Sequence, residues 1–294
     1  MASVSASRPI VVGYDASPPS EAALQWAARA ADQQKRTLVI LHAAERISYT
    51  QDAGSGLWKA EDVIADAKET AGEGRNKVLE EFPDLEVDVA GSLFSAKVAL
   101  GERSTTASMM VLGSHGRGRV GTLLLGSTAY SIAGYSRCPV VIIRDGGTTL
   151  PGADNPVVVG INGTGGSERA VDTAAEVARE WGAPLLLATV WSRPSGNRKP
   201  AGYSSIEEAA ADHRSAAEVA NAEMLGRVAT AHADLTVDGT VIEGHPVDAL
   251  VEAGSKGGLL VVGTHGQGSL AGAVLGSTTL GVLSHSTAPI MVAD

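Results

Sequence analysis

Gly113, two residues, Gly116, nine residues and then Gly126-Ser127-Thr128 make up the segment of this 294-residue chain with the clearest chemical use. The arrangement occurs twice, because Gly263, Gly266, Gly276, Ser277 and Thr278 keep the same spacing. Glycine lets a backbone approach a ligand closely and take positive φ, while a helix start offers unpaired N–H groups and the positive end of a dipole. Hydroxyls beside it add donors. Set between a strand and an apolar helix, such a segment is a cradle for a polyphosphate. The competing reading is a glycine-rich turn capped by Ser127, and the identical count in two places favours the cradle. A second candidate is Asp15, at the carboxyl end of the first apolar run, where a carboxylate can accept bonds from two ligand hydroxyls. Its alternative role is an Asx turn or helix cap, since Asp15-Ala16-Ser17-Pro18 is good turn chemistry.

The elements that must position these residues follow from an internal duplication. Val11-Val12-Gly13-Tyr14-Asp15 matches Val158-Val159-Gly160-Ile161-Asn162 at an offset of 147, and Gly113-Ser114-His115-Gly116 matches Gly263-Thr264-His265-Gly266 at 150. Leu125-Gly126-Ser127-Thr128 recurs at 150, and Cys138-Pro139-Val140 matches Ala288-Pro289-Ile290 at the same offset. Residues 146–154 collect Gly, Thr, Asp and Pro as a linker does, which divides the chain into domains at 8–145 and 155–294. In each copy short β-branched or Leu runs alternate with longer Ala/Glu-rich stretches, the pattern of βαβ units around a buried parallel sheet. Strands are predicted at Ile10–Tyr14, Leu38–Ala43, Leu85–Ala90, Met109–Gly113 and Val140–Arg144. The second copy repeats them at Val157–Ile161, Leu185–Val190, Leu235–Val241, Leu259–Gly263 and Pro289–Val292. Helices are predicted at Ser20–Gln34 and Trp58–Phe82. The fold class is α/β: two doubly wound, five-stranded parallel-sheet domains in tandem.

Composition removes several classes of function. Lys+Arg 23 against Asp+Glu 33 gives a net charge of −10, a field that repels nucleic acid and anionic membrane surfaces. Hydrophobic residues at 44% and charged ones at 19% describe a globular chain. No run approaches the ~18 apolar residues of a membrane span, and Met1–Pro9 has no apolar core, so neither insertion nor export is expected. The single cysteine, Cys138, cannot close an intrachain disulfide, and with no metal-ligand spacing in view the expected home is the cytoplasm.

Two other motifs lead less far. Gly116-Arg117-Gly118-Arg119-Val120-Gly121 is a formal GxGxxG, with a Gly/Ala variant at 266–271. A dinucleotide fingerprint, however, belongs to the first strand-to-helix turn, and here it follows the fourth strand. No GxxxxGK[ST] is present, nor the glycine pair of an SGGxDS pyrophosphatase signature. His115 and His265 occupy equivalent loop positions without a sequence partner for a triad, and they read as hydrogen-bond donors or exposed filler rather than as catalysts. His42, with Thr189 as its counterpart, reads as a packing residue, and Cys138 as a small buried filler. Trp181 and Trp191 are expected in the core, with stacking on a flat ligand ring as the alternative for Trp191.

Each half resembles a universal stress protein domain of the ATP-binding kind. The likeness rests on the Val-Val-Gly-x-Asp start, the Gly-x2-Gly-x9-Gly-Ser/Thr pattern and the terminal Cys-Pro-Val-Val strand, and the whole chain resembles a tandem version. The resemblance implies a Rossmann-like fold of the adenine nucleotide alpha hydrolase kind and an adenine nucleotide as ligand. It implies that Gly13 and Asp15 lie by the nucleoside, that Ala43 borders the adenine, and that Gly113, His115, Gly116, Arg117, Gly126, Ser127 and Thr128 surround ribose and phosphates. Gly160, Asn162, Val190, Gly263, His265, Gly266, Gly276, Ser277 and Thr278 are the corresponding positions of the second half. Mg²⁺ is expected on the phosphate oxygens, with little protein ligation. The implied role is a nucleotide-responsive regulator of an unidentified protein partner in stress, with the two halves packed as a pseudo-dimer through their terminal strands and a homodimer of whole chains also compatible. The alternative is an ATP hydrolase or adenylate-transferring enzyme on the same scaffold, for which no added base or nucleophile is visible.

The second half departs from the pattern where Asn162 replaces the acid. Bonds to charged groups exceed neutral ones by enough that the exchange is expected to cost ~1 kcal/mol, roughly fivefold in affinity. Charge agrees, since residues 1–147 carry 15 basic and 17 acidic side chains and residues 148–294 carry 8 and 16.

Overall fold

The computed structural model describes residues 8–44, 59–116, 125–144, 147–162, 167–194, 200–264 and 275–293. The chain divides into two compact units, Met1–Thr148 and Thr149–Asp294. In the first, the order is β1 (Ile10–Gly13), α1 (Pro18–Gln34), β2 (Leu38–Ala43), α2 (Ala60–Glu81), β3 (Val87–Ser92), α3 (Ala96–Arg103), β4 (Met109–Gly113), α4 (Ser127–Tyr135) and β5 (Val140–Ile143). The second runs β6 (Val157–Ile161), α5 (Glu168–Trp181), β7 (Leu185–Trp191), α6 (Ile206–Ala231), β8 (Val237–Glu243), α7 (Pro246–Ser255), β9 (Leu259–Gly263), α8 (Ser277–His285) and β10 (Ile290–Ala293). Each unit is a doubly wound α/β domain with a five-stranded parallel sheet, ordered β3-β2-β1-β4-β5 in the first and β8-β7-β6-β9-β10 in the second.

The continuous apolar runs of the inner strands reflect burial on both faces. Ile10, Val11, Val12, Met110, Val111 and Ile142 are essentially inaccessible to solvent, as are Val157, Val158, Val159 and Val261. Helix α1 starts where Ser17 accepts the N–H of Ser20 and two prolines fill the first helical positions, where no donor is needed. Its Ala23, Trp26, Ala27, Ala30 and Ala31 are buried against β1 and β4. The helix stops at Lys35 in the left-handed conformation, φ 51°, and its equivalent α5 stops at Gly182, φ 60°. Helices α1 and α2 pack together, as do α3 and α4, so both faces of the sheet are covered.

Two predicted strands shift. The third starts at Val87 rather than Leu85 and runs to Ser92, and the eighth starts at Val237 rather than Leu235 and runs to Glu243. Both are edge strands with half-exposed side chains, so apolar residues mark their limits poorly, and the Leu85 N–H is instead bonded to Phe82 O in the turn that ends α2. Elsewhere the predicted limits move by one or two residues. Cys138 is half-buried rather than buried, its Sγ 3.5 Å from Ser136 Oγ, and burial pushes its thiol pKa up. Trp191 packs with Ala210 and Ala217.

In the first unit the chain runs outward from β1 to β2 and β3, then returns to β4 on the other side of β1. The loops after β1 and β4 therefore diverge to opposite faces and leave a crevice at the carboxyl ends of those strands.

Candidate functional site

That crevice is a cleft of about 510 Å³. Gly13 and Asp15 reach it from the end of β1, Ala43 from β2, Gly113, His115 and Gly116 from β4 and the residues after it, and Gly126, Ser127 and Thr128 from the start of α4. Every described residue of the first half expected around the ligand thus lines one cavity. Arg117 lies outside the described residues.

The start of α4 provides the donors. Gly126 is extended (φ −63°, ψ 149°), its N–H is bonded to Ser114 O at 2.7 Å, and the first helical bond runs from Tyr130 N–H to Gly126 O. The N–H groups of Ser127, Thr128 and Ala129 consequently have no acceptor among the described residues, and neither do the hydroxyls of Ser127 and Thr128. Three amides, two hydroxyls and a helix dipole face the cavity, which is an environment for an anion. Beside them, His115 Nδ1 lies 2.9 Å from Ser114 Oγ.

Two of the glycines are closely approached by residues distant in sequence. A Cβ at Gly113 would lie 2.6 Å from the backbone of Pro19 in α1, and one at Gly116 would lie 2.6 Å from Asp15 Oδ2. Fixed backbone excludes a side chain at Gly113, whereas at Gly116 the Asp15 carboxylate would have to move.

Asp15 is anchored on one side. Its Oδ1 accepts the N–H of Ser17 at 3.0 Å and the Ser17 hydroxyl at 2.5 Å, an Asx turn, while its Oδ2 lies toward Gly116. The turn role weighed from sequence is present on Oδ1. Ala16, between Asp15 and Ser17, is left-handed, φ 57°. The Asp15 N–H donates to Ser20 Oγ at 3.2 Å, and the Asn162 N–H donates to Ser167 Oγ at 3.1 Å. This Asp/Asn-x4-Ser bracket sits in both copies at the same offset of 147, so the repeat itself carried a signal that the sequence reading missed.

Two more residues were missed. His42 is not packing alone: it lines the cleft, and its Nδ1 is 2.7 Å from Tyr14 O. Tyr14 is 2% exposed, and its hydroxyl donates to Glu21 at 2.6 Å while accepting from Lys77 at 3.2 Å. Lys77 also pairs with Glu21, which ties α2 to α1 behind the cleft. Burial first, and the Glu21 carboxylate second, raise the Tyr14 pKa, while the Glu21 bond raises that of Lys77.

In the second unit, Gly160 lies in β6 and Asn162 just after it, Gly263 ends β9, Val190 lies in β7, Gly276 caps α8, and Ser277 and Thr278 open it. Gly276 repeats the geometry of Gly126, with φ −61°, ψ 153° and its N–H bonded to Thr264 O at 2.9 Å. The Asn162 Oδ1 accepts the Ser167 hydroxyl at 2.9 Å, and Thr279 Oγ1 donates to Gly263 O at 2.7 Å. His265 and Gly266 lie outside the described residues, as do both GxGxxG-like segments beyond Gly116.

Among the described residues no group of three or more His, Cys, Asp or Glu could hold a metal ion. None of their helices is long and apolar enough to cross a membrane.

The architecture is shared with known proteins. A crystal structure of a universal stress protein from Archaeoglobus fulgidus superposes with a TM-score of 0.64 over 98% of both chains at 21% identity, a likeness of fold. A universal stress protein of Mycobacterium tuberculosis H37Rv is 31% identical over 297 residues, covering 97% of this chain and 96% of its own. One of Mycolicibacterium smegmatis is 29% identical and covers 96% of each chain. The sequence model of the Universal stress protein family matches twice, at residues 6–144 and 155–294. With both matches covering most of the chain, this protein belongs to the universal stress protein family and carries two of its domains in tandem.

Proposed function

We propose that the amino-terminal cleft binds an adenine nucleotide, ATP with Mg²⁺ on its phosphate oxygens, and that the protein is a nucleotide-responsive regulator rather than a fast enzyme. The observation that carries this reading is the convergence at one strand-end crevice of the open α4 amides with Asp15 and Ala43. The Ser127, Thr128 and Ala129 N–H groups suit phosphate oxygens, and each charge placed at such a helix start gains roughly 0.3–1 kcal/mol. Asp15, with Oδ1 fixed by Ser17, suits ribose hydroxyls, and Ala43 is small enough to border a flat base. Mg²⁺ would neutralise the triphosphate without protein carboxylates, in keeping with its preference for retaining water. Asn162 makes the second site the weaker of the two. A bound nucleotide would bridge the end of β4 and the start of α4 and alter the surface offered to a partner.

The test is to release small molecules from freshly purified protein, identify them by mass spectrometry, and titrate ATP into the emptied chain. ATP in the extract and saturable binding are expected. A flavin or dinucleotide in the extract, or no ATP binding at millimolar concentration, overturns the reading. A single-turnover assay then separates retention from hydrolysis.

A further inference from the structure

We infer that His42 is a specificity-determining residue of the amino-terminal cleft, its Nε2 accepting a hydrogen bond from an amino or hydroxyl donor on the nucleoside part of the ligand. The inference rests on the nucleotide reading of the cleft and deepens it. Tyr14 O is a carbonyl and can only accept, so the ring nitrogen 2.7 Å from it, Nδ1, carries the hydrogen. In a neutral imidazole this fixes the tautomer and leaves Nε2 with a lone pair. Nε2 has no partner among the described residues, nor does it belong to the buried polar atoms left without one. It is therefore open, in a side chain that lines the cleft between Ala43 and the end of β1.

The ring orientation is held independently of any ligand. Tyr14 N–H is bonded to Leu41 O at 2.9 Å, so the acceptor carbonyl belongs to a peptide that the sheet already fixes. A preset acceptor at a strand end discriminates, because a ligand lacking the matching donor leaves it unpaired. At the matching position of the second unit the described side chain is no such reader. Thr189 stands at the offset of 147, is 1% exposed, and its Oγ1 accepts from Asn221 Nδ2 at 2.9 Å. The two clefts thus differ in the group that meets the nucleoside, quite apart from Asp15 and Asn162.

The experiment uses the whole chain. Binding of ATP, purine riboside triphosphate (no 6-amino group), 2′-deoxy-ATP and 3′-deoxy-ATP is measured by calorimetry for wild type, His42→Asn and His42→Ala. Asparagine can place an N–H where Nδ1 was and nothing where Nε2 was, so it separates the bond to Tyr14 from the bond to ligand. ATP affinity is expected to fall roughly three- to tenfold in His42→Asn. One analogue should lose about the same factor in wild type and lose nothing further in His42→Asn, and its identity says whether the donor is the amino group or a hydroxyl. Wild-type affinity in His42→Asn with loss only in His42→Ala overturns the inference and leaves the ring as a clamp on Tyr14. Equal analogue penalties in wild type and His42→Asn overturn it as well. If wild type binds no ATP, the nucleotide reading fails and this inference with it; if wild type binds and His42→Asn is unchanged, only this inference fails.

Discussion

Ser17 gives both its backbone N–H and its hydroxyl to a single oxygen of Asp15, Oδ1, at 3.0 and 2.5 Å. The turn that starts α1 and the carboxylate that faces the cleft are thereby one unit. Asn can keep an oxygen at Oδ1 but offers an amide in place of Oδ2. Asp15→Asn is therefore expected to leave urea stability nearly unchanged and to weaken ATP binding about fivefold. Asp15→Ala loses both oxygens, and a further loss of about 1 kcal/mol of stability is expected, in line with a lost cap. Paired urea melts and calorimetry check both. Equal losses of affinity and of stability in Asp15→Asn would leave Asp15 with the turn alone.

Much of this arrangement was legible in the residues because local rules and burial agree. The inner strands are apolar on both faces, so Ile10, Leu38 and Met109 mark their own starts. The glycine-hydroxyl segment recurs with its spacing intact, and its described residues from the first half meet in one cleft. What was not legible depends on contacts distant in sequence. His42 resembles any residue of a buried strand until Tyr14 O, 28 residues away, is brought beside its Nδ1. The need for Gly113 comes from Pro19, on a helix that sequence spacing does not place. At Ser20 and Ser167 the bracket was visible in the repeat, but a serine five residues after an acid or amide has no meaning until its oxygen is seen accepting that residue's N–H.

Lys35 and Gly182 end equivalent helices in the same left-handed conformation, φ 51° and 60°. A side chain in that region costs roughly 1–2 kcal/mol, and glycine's larger entropy in the unfolded chain offsets about 0.5–1 of it. The Lys35–Asp32 pair lost on substitution is exposed and weak. Lys35→Gly is expected to raise stability by about 0.5–1 kcal/mol, read from the urea midpoint at constant slope. Gly182→Lys should move it in the opposite direction.

Tyr14 and Lys77 link folding to alkaline pH. Both pKa values are raised in the folded chain, Tyr14 chiefly by burial and Lys77 chiefly by its bond to Glu21. The folded state holds these protons more tightly than the unfolded state, so their contribution is complete below the ordinary values near pH 10 and is lost as pH rises through the raised ones. Urea stability should decline above about pH 10, and the decline should be shallower in Tyr14→Phe, which has no phenolic proton to lose there. An identical slope in the two proteins between about pH 9 and 11 would place the alkaline sensitivity elsewhere.

The two helix starts allow the halves to be compared directly. Gly126 and Gly276 share backbone angles and the same bond to the residue after the fourth strand, so alanine at either position perturbs the same geometry. A Cβ at Gly126 would lie 3.1 Å from His115 Cα and 3.2 Å from Ser114 O, close enough to shift the donors without displacing α4. What differs between the halves is chemistry: Asp15 against Asn162, His42 against Thr189, and near-balanced charge against an excess of eight acidic side chains (8 basic, 16 acidic). Each difference disfavours a nucleotide polyphosphate in the second half, the last because a negative field opposes an anion's approach. Gly126→Ala is therefore expected to remove most of the high-affinity ATP binding and Gly276→Ala only the weaker part, with added salt narrowing the difference as screening sets in. A larger loss from Gly276→Ala would reverse the assignment and make the second half the principal site despite its charge.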